Sequence, residues 1–468
     1  MVRDAQIKRP SATLDTQELE ESYVPANHLP VNVSSVGSDV VPTVFFITWT
    51  ADWGYGQVEY GLTPDLGLTT PRTELTDSHE QAVFGLKASH QYYWRVSNEH
   101  EDGTVATSAI DVWQVPDPPE TLRLHELLQV DVDRSEVANA FLLLTPNHPV
   151  TSYAAIIDGD ADLVWWVAAD PGQHITRARP AMDGRGILYS SYRMMDITQN
   201  GRIQRMDLDG RRQTTTRALY QHHDFVERGD GLLAFPSFEF AVFDVDDQPL
   251  NIASDAIRLA PEGYDQEEEY DRSLAYFADY PHEPWYTCQH FALNGSFVPG
   301  YHEWTHTNSV AYEPTEDALY MLPRYFDALL KTDATSGQIL WQLGGIHGDF
   351  TSDEGGDLLE HSHFSQVWPG GVLLFDNGNH ADSVSSVIEY SIDETNMTVE
   401  KVWEYTRADR GFTSFLGDAR RLEGGNTLIM YSPEGELREV TPDGETVWLA
   451  DTTVVSGRVI PILDLYDL

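Results

Sequence analysis

Hydrophobic positions from about residue 122 onward follow a repeating pattern of short strands. An apolar strand, a turn rich in Asp and Gly, and a strand that often carries Trp recur six times, at residues 154–166, 203–215, 241–253, 329–341, 387–403 and 437–449. Six copies over roughly 345 residues is the spacing of β-propeller blades. Each blade is a small antiparallel sheet that buries its faces only by stacking on its neighbours. The pattern predicts an all-β, six-bladed β-propeller over residues 123–468, with inter-blade tryptophans at Trp165, Trp166, Trp341, Trp403 and Trp448.

A second pattern places one polar residue at the start of a short strand in four consecutive blades. These residues are His223, His306, His363 and Asp418, and each is followed by a strand, a Gly or acidic turn and an apolar strand. The innermost strand of each blade lines the axial channel of a propeller. Residues far apart in sequence therefore converge on the axis, and we expect these four to share one site.

The region before the propeller has a different pattern. Phe45, Ile47 and Trp49 alternate along one predicted strand, and further short strands follow. Leu86 and Tyr92 have the spacing of a tyrosine corner, in which a tyrosine hydroxyl ties a strand to the preceding turn. We predict a lead-in segment over residues 1–30, a fibronectin type III-like β-sandwich over residues 31–116 and a Pro-rich linker over residues 117–122.

Charge and composition exclude several classes of protein. The chain has 29 basic and 75 acidic residues, a net charge of −46, so a nucleic-acid partner is not expected. No apolar run reaches the roughly 18 residues of a membrane-spanning helix. The N-terminus lacks the apolar core of a secretion signal. Cys288 is the one cysteine, which excludes an intrachain disulfide and a four-cysteine zinc site.

Several segments carry the motifs of a known family. The segment EWTHTNSVAYEP, followed by ALYMLPR and LLKTDATSGQILWQLGG, is similar to the core motif of bacterial arylsulfate sulfotransferases. HHDFVERGDGLLAF and HSHFSQVWPGGVLLFDNGNH resemble two further blades of the same family. The resemblance extends from about residue 150 to the C-terminus, and an N-terminal β-sandwich is also typical of the family.

The resemblance implies a function and a set of residues. Family members transfer a sulfuryl group from an aryl sulfate ester to a phenol, with neither a nucleotide sulfate donor nor a cofactor or catalytic metal. Carried over by motif, His363 is the nucleophile, and His223, His306 and Arg324 surround the sulfate. The implied partners are small aryl sulfates and phenols, the implied location is periplasmic or extracellular, and the oligomeric state stays open.

The chain also departs from the family pattern beside these residues. Leu322, Pro323 and Tyr325 flank Arg324 where the family commonly has Ser, Ser and His, and Phe364 follows the expected nucleophile. These differences alter the wall of the pocket and thereby the choice of substrate. We expect the substrate to contact Asn308, Tyr325, Phe364, His222 and Asp418.

Other functions are compatible with the same residues. His223, His306 and His363, with Asp418 or Asp224, have the ligand types of a zinc, manganese or iron site, which would support a metal-dependent lyase or hydrolase. The positive charge of Arg324 disfavours a dication beside it. A non-enzymatic surface-binding propeller is the third hypothesis. The sequence HEWTH (302–306) matches a zinc-protease motif, but that motif requires a helix and a strand is predicted here.

Overall fold

The fold is built almost entirely from β-strands. The structure is a computed structural model, and it describes residues 29–122, 125–193, 200–245, 248–265, 273–276, 300–353, 357–380, 383–452 and 455–468. Helices in these ranges are short 3-10 turns: Glu120–Leu122, Val137–Asn139, Arg324–Phe326 and Leu465–Asp467. None of the described helices has the length and apolar character needed to span a membrane.

Seven strands form the N-terminal unit. They are β1 (Val31–Gly37), β2 (Phe45–Gly61), β3 (Leu68–Thr69), β4 (Leu75–Val83), β5 (Gln91–His100), β6 (Val105–Thr107) and β7 (Asp111–Gln114). The first half of β2 pairs with β1 and β4, and its second half pairs with β5. The pairing with β4 shifts register between Thr50 and Gly54, where β2 passes from one layer to the other. Trp49 of the first half and Val58 of the second share one core with Trp94 of β5, an arrangement consistent with a β-sandwich.

The expected tyrosine corner is present in this unit. The hydroxyl oxygen of Tyr92 accepts a hydrogen bond from the backbone N–H of Lys87 at 3.1 Å, and both Leu86 and Tyr92 are buried. This contact ties the start of β5 to the turn before it. The more specific assignment to the fibronectin type III fold stays a prediction, as do the domain boundaries.

Six sheets form the propeller, which confirms the predicted architecture. The strands after β7 are, in chain order, β8 (His125–Val130), β9 (Phe141–Asn147), β10 (Tyr153–Ile157), β11 (Leu163–Ala168), β12 (His174–Pro180), β13 (Ile187–Tyr192), β14 (Arg202–Met206), β15 (Gln213–Arg217), β16 (Val226–Glu227), β17 (Leu232–Val245), β18 (Gln248–Pro261), β19 (Ser273–Tyr276), β20 (His302–Glu303), β21 (Thr307–Glu313), β22 (Ala318–Pro323), β23 (Ala328–Asp333), β24 (Ile339–Gly344), β25 (His363–Trp368), β26 (Gly371–Asp376), β27 (Ser386–Asp393), β28 (Thr398–Thr406), β29 (Asp418–Arg421), β30 (Thr427–Tyr431), β31 (Glu436–Val440), β32 (Thr446–Thr452) and β33 (Val455–Ile462).

The blades follow one another in sequence around the axis. From the innermost strand outward, blade 1 is β33-β9-β10-β11, blade 2 is β12 to β15, blade 3 is β16 to β19, blade 4 is β21 to β24, blade 5 is β25 to β28 and blade 6 is β29 to β32. The innermost strands of neighbouring blades lie against one another. The C-terminal strand β33 pairs with β9 and so completes blade 1, while β8 pairs with β32 at the outer edge of blade 6. Both ends of the propeller sequence therefore meet at the boundary between blades 6 and 1.

Three of the predicted inter-blade tryptophans make the same contact with the next blade. Each lies in the fourth strand of its blade and donates its indole N–H to a carbonyl in the turn between the third and fourth strands of the following blade. Trp165 donates to Leu208 at 2.9 Å, Trp403 to Pro442 at 2.8 Å and Trp448 to Gly159 at 2.8 Å. The repeated Asp-Gly turn and the repeated Trp are thus two halves of one inter-blade hydrogen bond.

The turn of blade 1 also binds the N-terminal unit. Nζ of Lys87 lies 3.1 Å from a carboxylate oxygen of Asp158, and 2.7 Å from oxygens of Asp160 and Asp162. The three alternating aspartates therefore surround an ammonium group of the protein itself. This contact fixes the sandwich against blade 1.

We predict that Trp448→Phe lowers the free energy of unfolding by about 1–3 kcal/mol, because it leaves the buried carbonyl of Gly159 without its donor. Trp403→Phe is the matched control, since its equivalent hydrogen bond is exposed and its loss costs under about 1 kcal/mol. Thermal and urea unfolding of both variants measure the difference. Equal stability of Trp448→Phe and the unmodified chain would contradict a stabilising role for the inter-blade bond.

Candidate functional site

A cavity of about 410 Å³ lies where the six innermost strands begin. Its wall includes the predicted residues His222, His223, His306, Asn308, Arg324, Tyr325 and His363, together with residues from the remaining blades such as Ile175, Leu416 and Arg458. The structure therefore brings seven of the nine predicted site residues to one place. The cavity is large enough for a small aromatic ester.

The histidines of blades 3 and 4 share a local backbone conformation. His223 and His306 both have positive φ angles, 56° and 53°. His306 immediately precedes the inner strand β21, and His223 lies three residues before the inner strand β16. A left-handed conformation at a non-glycine residue is uncommon and is often held in place at functional sites. In blades 5 and 6 the same positive φ, 58°, occurs at His361 and Leu416, so His363 and Asp418 lie two residues beyond the position that His223 and His306 share.

His363 is held by Asn377, the residue that follows the neighbouring strand β26. The side-chain N–H₂ of Asn377 donates to the carbonyls of Thr413 and Leu416 at 2.8 and 2.9 Å, so the amide oxygen must face His363. That oxygen lies 2.7 Å from Nδ1 of His363. Because an amide oxygen only accepts hydrogen bonds, Nδ1 of His363 carries the proton. Nε2 of the neutral ring then retains its lone pair.

The environment of His363 keeps its ring neutral. Burial lowers the pKa of His363 well below its ordinary value of 6.5, and the positive charges of Arg458 and Arg324 lower it further. The hydrogen bond to Asn377 acts in the opposite direction but is the smaller effect. The result is a buried imidazole with an unprotonated Nε2 beside two guanidinium groups.

His223 belongs to a chain of three polar side chains. Nδ1 of His223 lies 2.8 Å from Nδ1 of His222, and Nε2 of His222 lies 3.0 Å from Asp255. Burial raises the pKa of Asp255, but His222 and the backbone N–H of Thr307 outweigh burial and lower it overall, so Asp255 is a carboxylate. A carboxylate accepts the Nε2–H of His222, and Nδ1 of a neutral His222 would then accept the Nδ1–H of His223. In that arrangement Nε2 of His223 keeps its lone pair.

His306 connects the histidines to the aromatic wall of the cavity. Its ring centroid lies 4.7 Å from that of His223 and 4.9 Å from that of Tyr325. Its Nδ1 donates to the carboxylate of Glu303 at 3.0 Å. Glu303 therefore orients the ring of His306.

Arg324 follows strand β22 and lines the same cavity. Its guanidinium lies 5.6 Å from the ring centre of Tyr325, and burial lowers the pKa of Arg324. A guanidinium nevertheless keeps its charge at neutral pH. It supplies a positive charge close to His363 and His306.

Arg458 is a cavity residue that the sequence analysis missed. It lies on the closing strand β33, where its Nη2 donates to the backbone oxygen of Asn308 at 3.1 Å and to the hydroxyl of Ser309 at 2.5 Å. The C-terminal segment VSGRVIPI carries no copy of the repeat. Blade 1 lacks an inner strand unless the C-terminal segment supplies it. Assigning that segment to blade 1 would have placed Arg458 at the axis.

Asp418 and Phe364 differ from the other predicted residues. Asp418 does not line the cavity: its carboxylate is fully buried, accepts from the backbone N–H of Val459 at 3.1 Å, and lies 3.6 Å from Arg458. It therefore orients Arg458 and β33. Phe364 lies in β25, but its side chain is outside the described residues.

The geometry also bears on the two metal hypotheses. Within the described ranges, the groups spaced to hold an ion are Asp327 with His361 and His380, and the three aspartates around Lys87; neither group contains a cavity histidine. The HEWTH segment includes the short strand β20 and is not helical, so it lacks the zinc-protease geometry.

We predict that nuclear magnetic resonance of ¹⁵N-histidine-labelled protein places the proton of His363 on Nδ1, because the oxygen of Asn377 accepts it. The ring should stay neutral down to pH 5.5, where an imidazole of ordinary pKa is about nine-tenths protonated. Asn377→Ala should release both tautomers. Asn379→Ala is the control, since Asn379 binds the carbonyl of Ser414 and not His363. A proton on Nε2 in the unmodified chain would contradict the assignment.

Two of the solved structures similar to this chain are remote from it in sequence. TolB from Acinetobacter baumannii covers 81% of this chain and 80% of its own, at 12% identity and a TM-score of 0.35. Virginiamycin B lyase from Staphylococcus aureus covers 80% and 94%, at 12% identity and a TM-score of 0.34. Scores this low carry no argument about function.

Similarity at the sequence level is more specific. "Arylsulfate sulfotransferase AssT" of Escherichia coli O6:H1 (strain CFT073) is 28% identical over 145 residues. The alignment covers 23% of this chain and 24% of that protein, so the chain matches about a quarter of its relative's length. The family model for arylsulfotransferase (ASST) matches residues 128–453, well over half of the chain. The chain therefore belongs to the arylsulfotransferase family.

Proposed function

We propose that this protein transfers a sulfuryl group from an aryl sulfate ester to a phenolic acceptor through a covalent intermediate on Nε2 of His363. The observation that carries the proposal is the hydrogen bond between Asn377 and His363. It leaves a neutral, unprotonated nitrogen in a cavity with Arg324 and Arg458. Membership of the arylsulfotransferase family supports the same reaction class.

In the first half of the reaction, Nε2 of His363 attacks the sulfur of the donor ester. The nitrogen–sulfur bond forms while the bond between sulfur and the aryl oxygen breaks. Arg324 and Arg458 offset the charge of the sulfuryl oxygens, and His306 stabilises the departing phenolate. Each fixed donor of this kind lowers such a barrier by roughly 3 kcal/mol. The phenolate takes a proton from solvent as it leaves.

In the second half, the acceptor phenol occupies the position of the departed product. Nε2 of His223 takes the phenolic proton while the phenol oxygen attacks sulfur, and the nitrogen–sulfur bond breaks. The lone pair returns to His363, and His223 then releases its proton to solvent. The pair of His222 and Asp255 holds His223 in the tautomer that this step requires.

The walls of the cavity suit aromatic substrates. Tyr192, Phe238, Tyr325 and Phe415 line it beside the cationic and imidazole groups. Such a wall favours a flat ring that carries an anionic group. The cations also counter the net charge of −46, which otherwise repels an anionic ester. A location outside the cytoplasm, which the family resemblance implies, stays part of the proposal.

No observation of this structure favours the metal-dependent lyase or hydrolase over sulfuryl transfer. Arg324 and Arg458 act on His363 electrostatically, and a dication between such groups is costly. A purely binding propeller does not require the ordered chain of His223, His222 and Asp255.

We predict that His363→Ala lowers sulfuryl exchange between an aryl sulfate and an added phenol by at least about a thousandfold, because the nucleophile is lost. Mass spectrometry of the donor-treated protein without acceptor should show one added SO₃ on the peptide that contains His363. His347→Ala, at an exposed histidine, is the control and should retain exchange. An adduct on another residue, or undiminished exchange in His363→Ala, would falsify the assigned nucleophile.

The lowered pKa of His363 predicts an unusual pH dependence for the first half-reaction. A nucleophile of ordinary pKa 6.5 loses about nine-tenths of its neutral form at pH 5.5. A pKa held well below that value shifts the loss to lower pH, so the burst of 4-nitrophenol from 4-nitrophenyl sulfate should fall less than about twofold between pH 7.5 and 5.5. Stopped-flow absorbance measures the burst rate. A tenfold decline across this interval would show that His363 titrates normally.

A further inference from the structure

A second cavity, of about 200 Å³, lies directly beyond the first along the same inner strands. Along β12 the wall passes from Ile175 in the first cavity to Arg177 and Arg179 in the second, and along β33 it passes from Gly457 to Ile460. Arg458 lines both cavities and stands between them. The reaction proposed above uses none of the other residues of this second cavity.

The second cavity holds more positive than negative charge. Four arginines surround it, and two buried aspartates contact them: Arg177, Arg179, Arg420, Arg458, Asp224 and Asp418. Asp224 is the one carboxylate on the described cavity wall. The group therefore has an excess of two positive charges.

The carboxylates of both aspartates already accept hydrogen bonds from other groups of the protein. Oδ1 of Asp224 accepts from Nε of Arg177 at 2.9 Å and from Nη2 of Arg179 at 3.2 Å, and it also accepts the backbone N–H of Phe225. Asp418 lies 3.7 Å from Arg420, beyond hydrogen-bond distance. Neither carboxylate has the capacity to satisfy the remaining guanidinium donors.

Several of these donors have no acceptor. Among the residues that the structure describes, Nη1 of Arg177 and the Nε groups of Arg179 and Arg420 are buried without a hydrogen-bond partner. Arg177 is only 3% exposed. Gln366, on the same wall, accepts the backbone N–H of Arg421 with its amide oxygen, so its NH₂ group is a further donor. Buried polar groups normally have a partner, and a cluster of unpaired donors around a cavity indicates a missing acceptor.

The arginines around the second cavity also repel one another. Burial lowers the pKa of Arg177 to about 9; Asp224 opposes the change, and Arg179, Arg458 and Arg420 reinforce it. The pKa of Arg179 is lowered by the same causes. Arginines that repel one another at a shared cavity bind an anion more strongly than they bind water.

We propose that this second cavity binds a small inorganic oxyanion, of the size of sulfate or phosphate, as an internal ligand that stabilises the propeller. Guanidinium groups bind oxyanions through paired N–H donors, and donors from β12, β25 and β29 approach the cavity from different blades. A tetrahedral oxyanion has acceptors in all these directions, whereas a halide has a single centre. The volume is about half that of the first cavity, which fits an inorganic ion better than an aryl ester.

The first test measures thermal unfolding of the full chain with anion binding in the first cavity weakened. Arg324→Ala removes one cation from that cavity and leaves Arg458, which lines both cavities, in place, so the second test below is needed to assign the remaining anion effect. Sulfate or phosphate should raise Tm by about 2 °C or more over chloride at equal ionic strength. Stabilisation by chloride equal to that by sulfate and phosphate would overturn the proposal.

The second test compares two neighbouring arginines in the same background. Arg420→Met removes a donor from the cavity and should abolish most of the oxyanion-dependent rise in Tm. Arg421→Met is the matched control, because Arg421 pairs with Glu389 outside the cavity wall; it should lower Tm and leave the oxyanion response intact. A full response in Arg420→Met would show that the ion binds elsewhere.

A crystallographic measurement keeps the proposal testable even where Arg420→Met does not fold. Crystals of the unmodified chain soaked in selenate, an anomalous scatterer that mimics sulfate, should show a peak between Arg177, Arg179 and Arg420. This peak is separate from any peak beside His363 and Arg324. Selenate in the first cavity alone would refute the second site while leaving the proposed transfer reaction untouched.

Discussion

The pairing of β33 with β9 is the interaction on which the rest of the molecule depends. A ring of blades has no free edge only when its last strand returns to its first sheet. Here that strand also brings Arg458 to the axis, where it contacts the segment of Asn308 and Ser309 from the opposite part of the sequence. Ring closure and assembly of the site are therefore the same structural event.

The channel along the propeller axis is lined by arginines and histidines, whereas the protein as a whole is strongly acidic. The protein has a net charge of −46, yet each inner strand of its channel contains an arginine or histidine or begins within three residues of a histidine. Asp224, Asp255 and Asp418 position these groups without neutralising them all. Field lines from such a channel concentrate where the dielectric is low, so an anion that passes the acidic surface meets an attractive interior.

The sequence predicted the fold and much of the site because both depend on repetition. Periodic strands gave the six blades, and one repeated position gave His223, His306 and His363, which the structure brings to one cavity. The repeat also explained the tryptophans, although not their hydrogen bonds to the next blade's turn. Properties that recur in each blade can be recognised in a single chain.

The remaining parts depend on contacts that no local pattern records. Asn377 fixes His363 only because Thr413 and Leu416, from the next blade, orient its amide. The repeat predicted that Asp418 shares the site of the histidines, but its carboxylate contacts Val459 and Arg458 on a strand outside the repeat. A strand position can be predicted from spacing; the neighbour that a side chain reaches is decided by packing between distant segments.

The place of β33 at the end of the propeller sequence has a consequence during protein synthesis. A ribosome that has completed blades 2 to 6 has already made His223, His306 and His363, but not Arg458. Contacts across the closing boundary join residues such as Ser135 and Glu439, which are 304 positions apart. Forming contacts of this separation is slow, although the entropic cost rises only logarithmically with length. The nascent chain therefore contains His363 long before Arg458 completes the wall of the cavity around it.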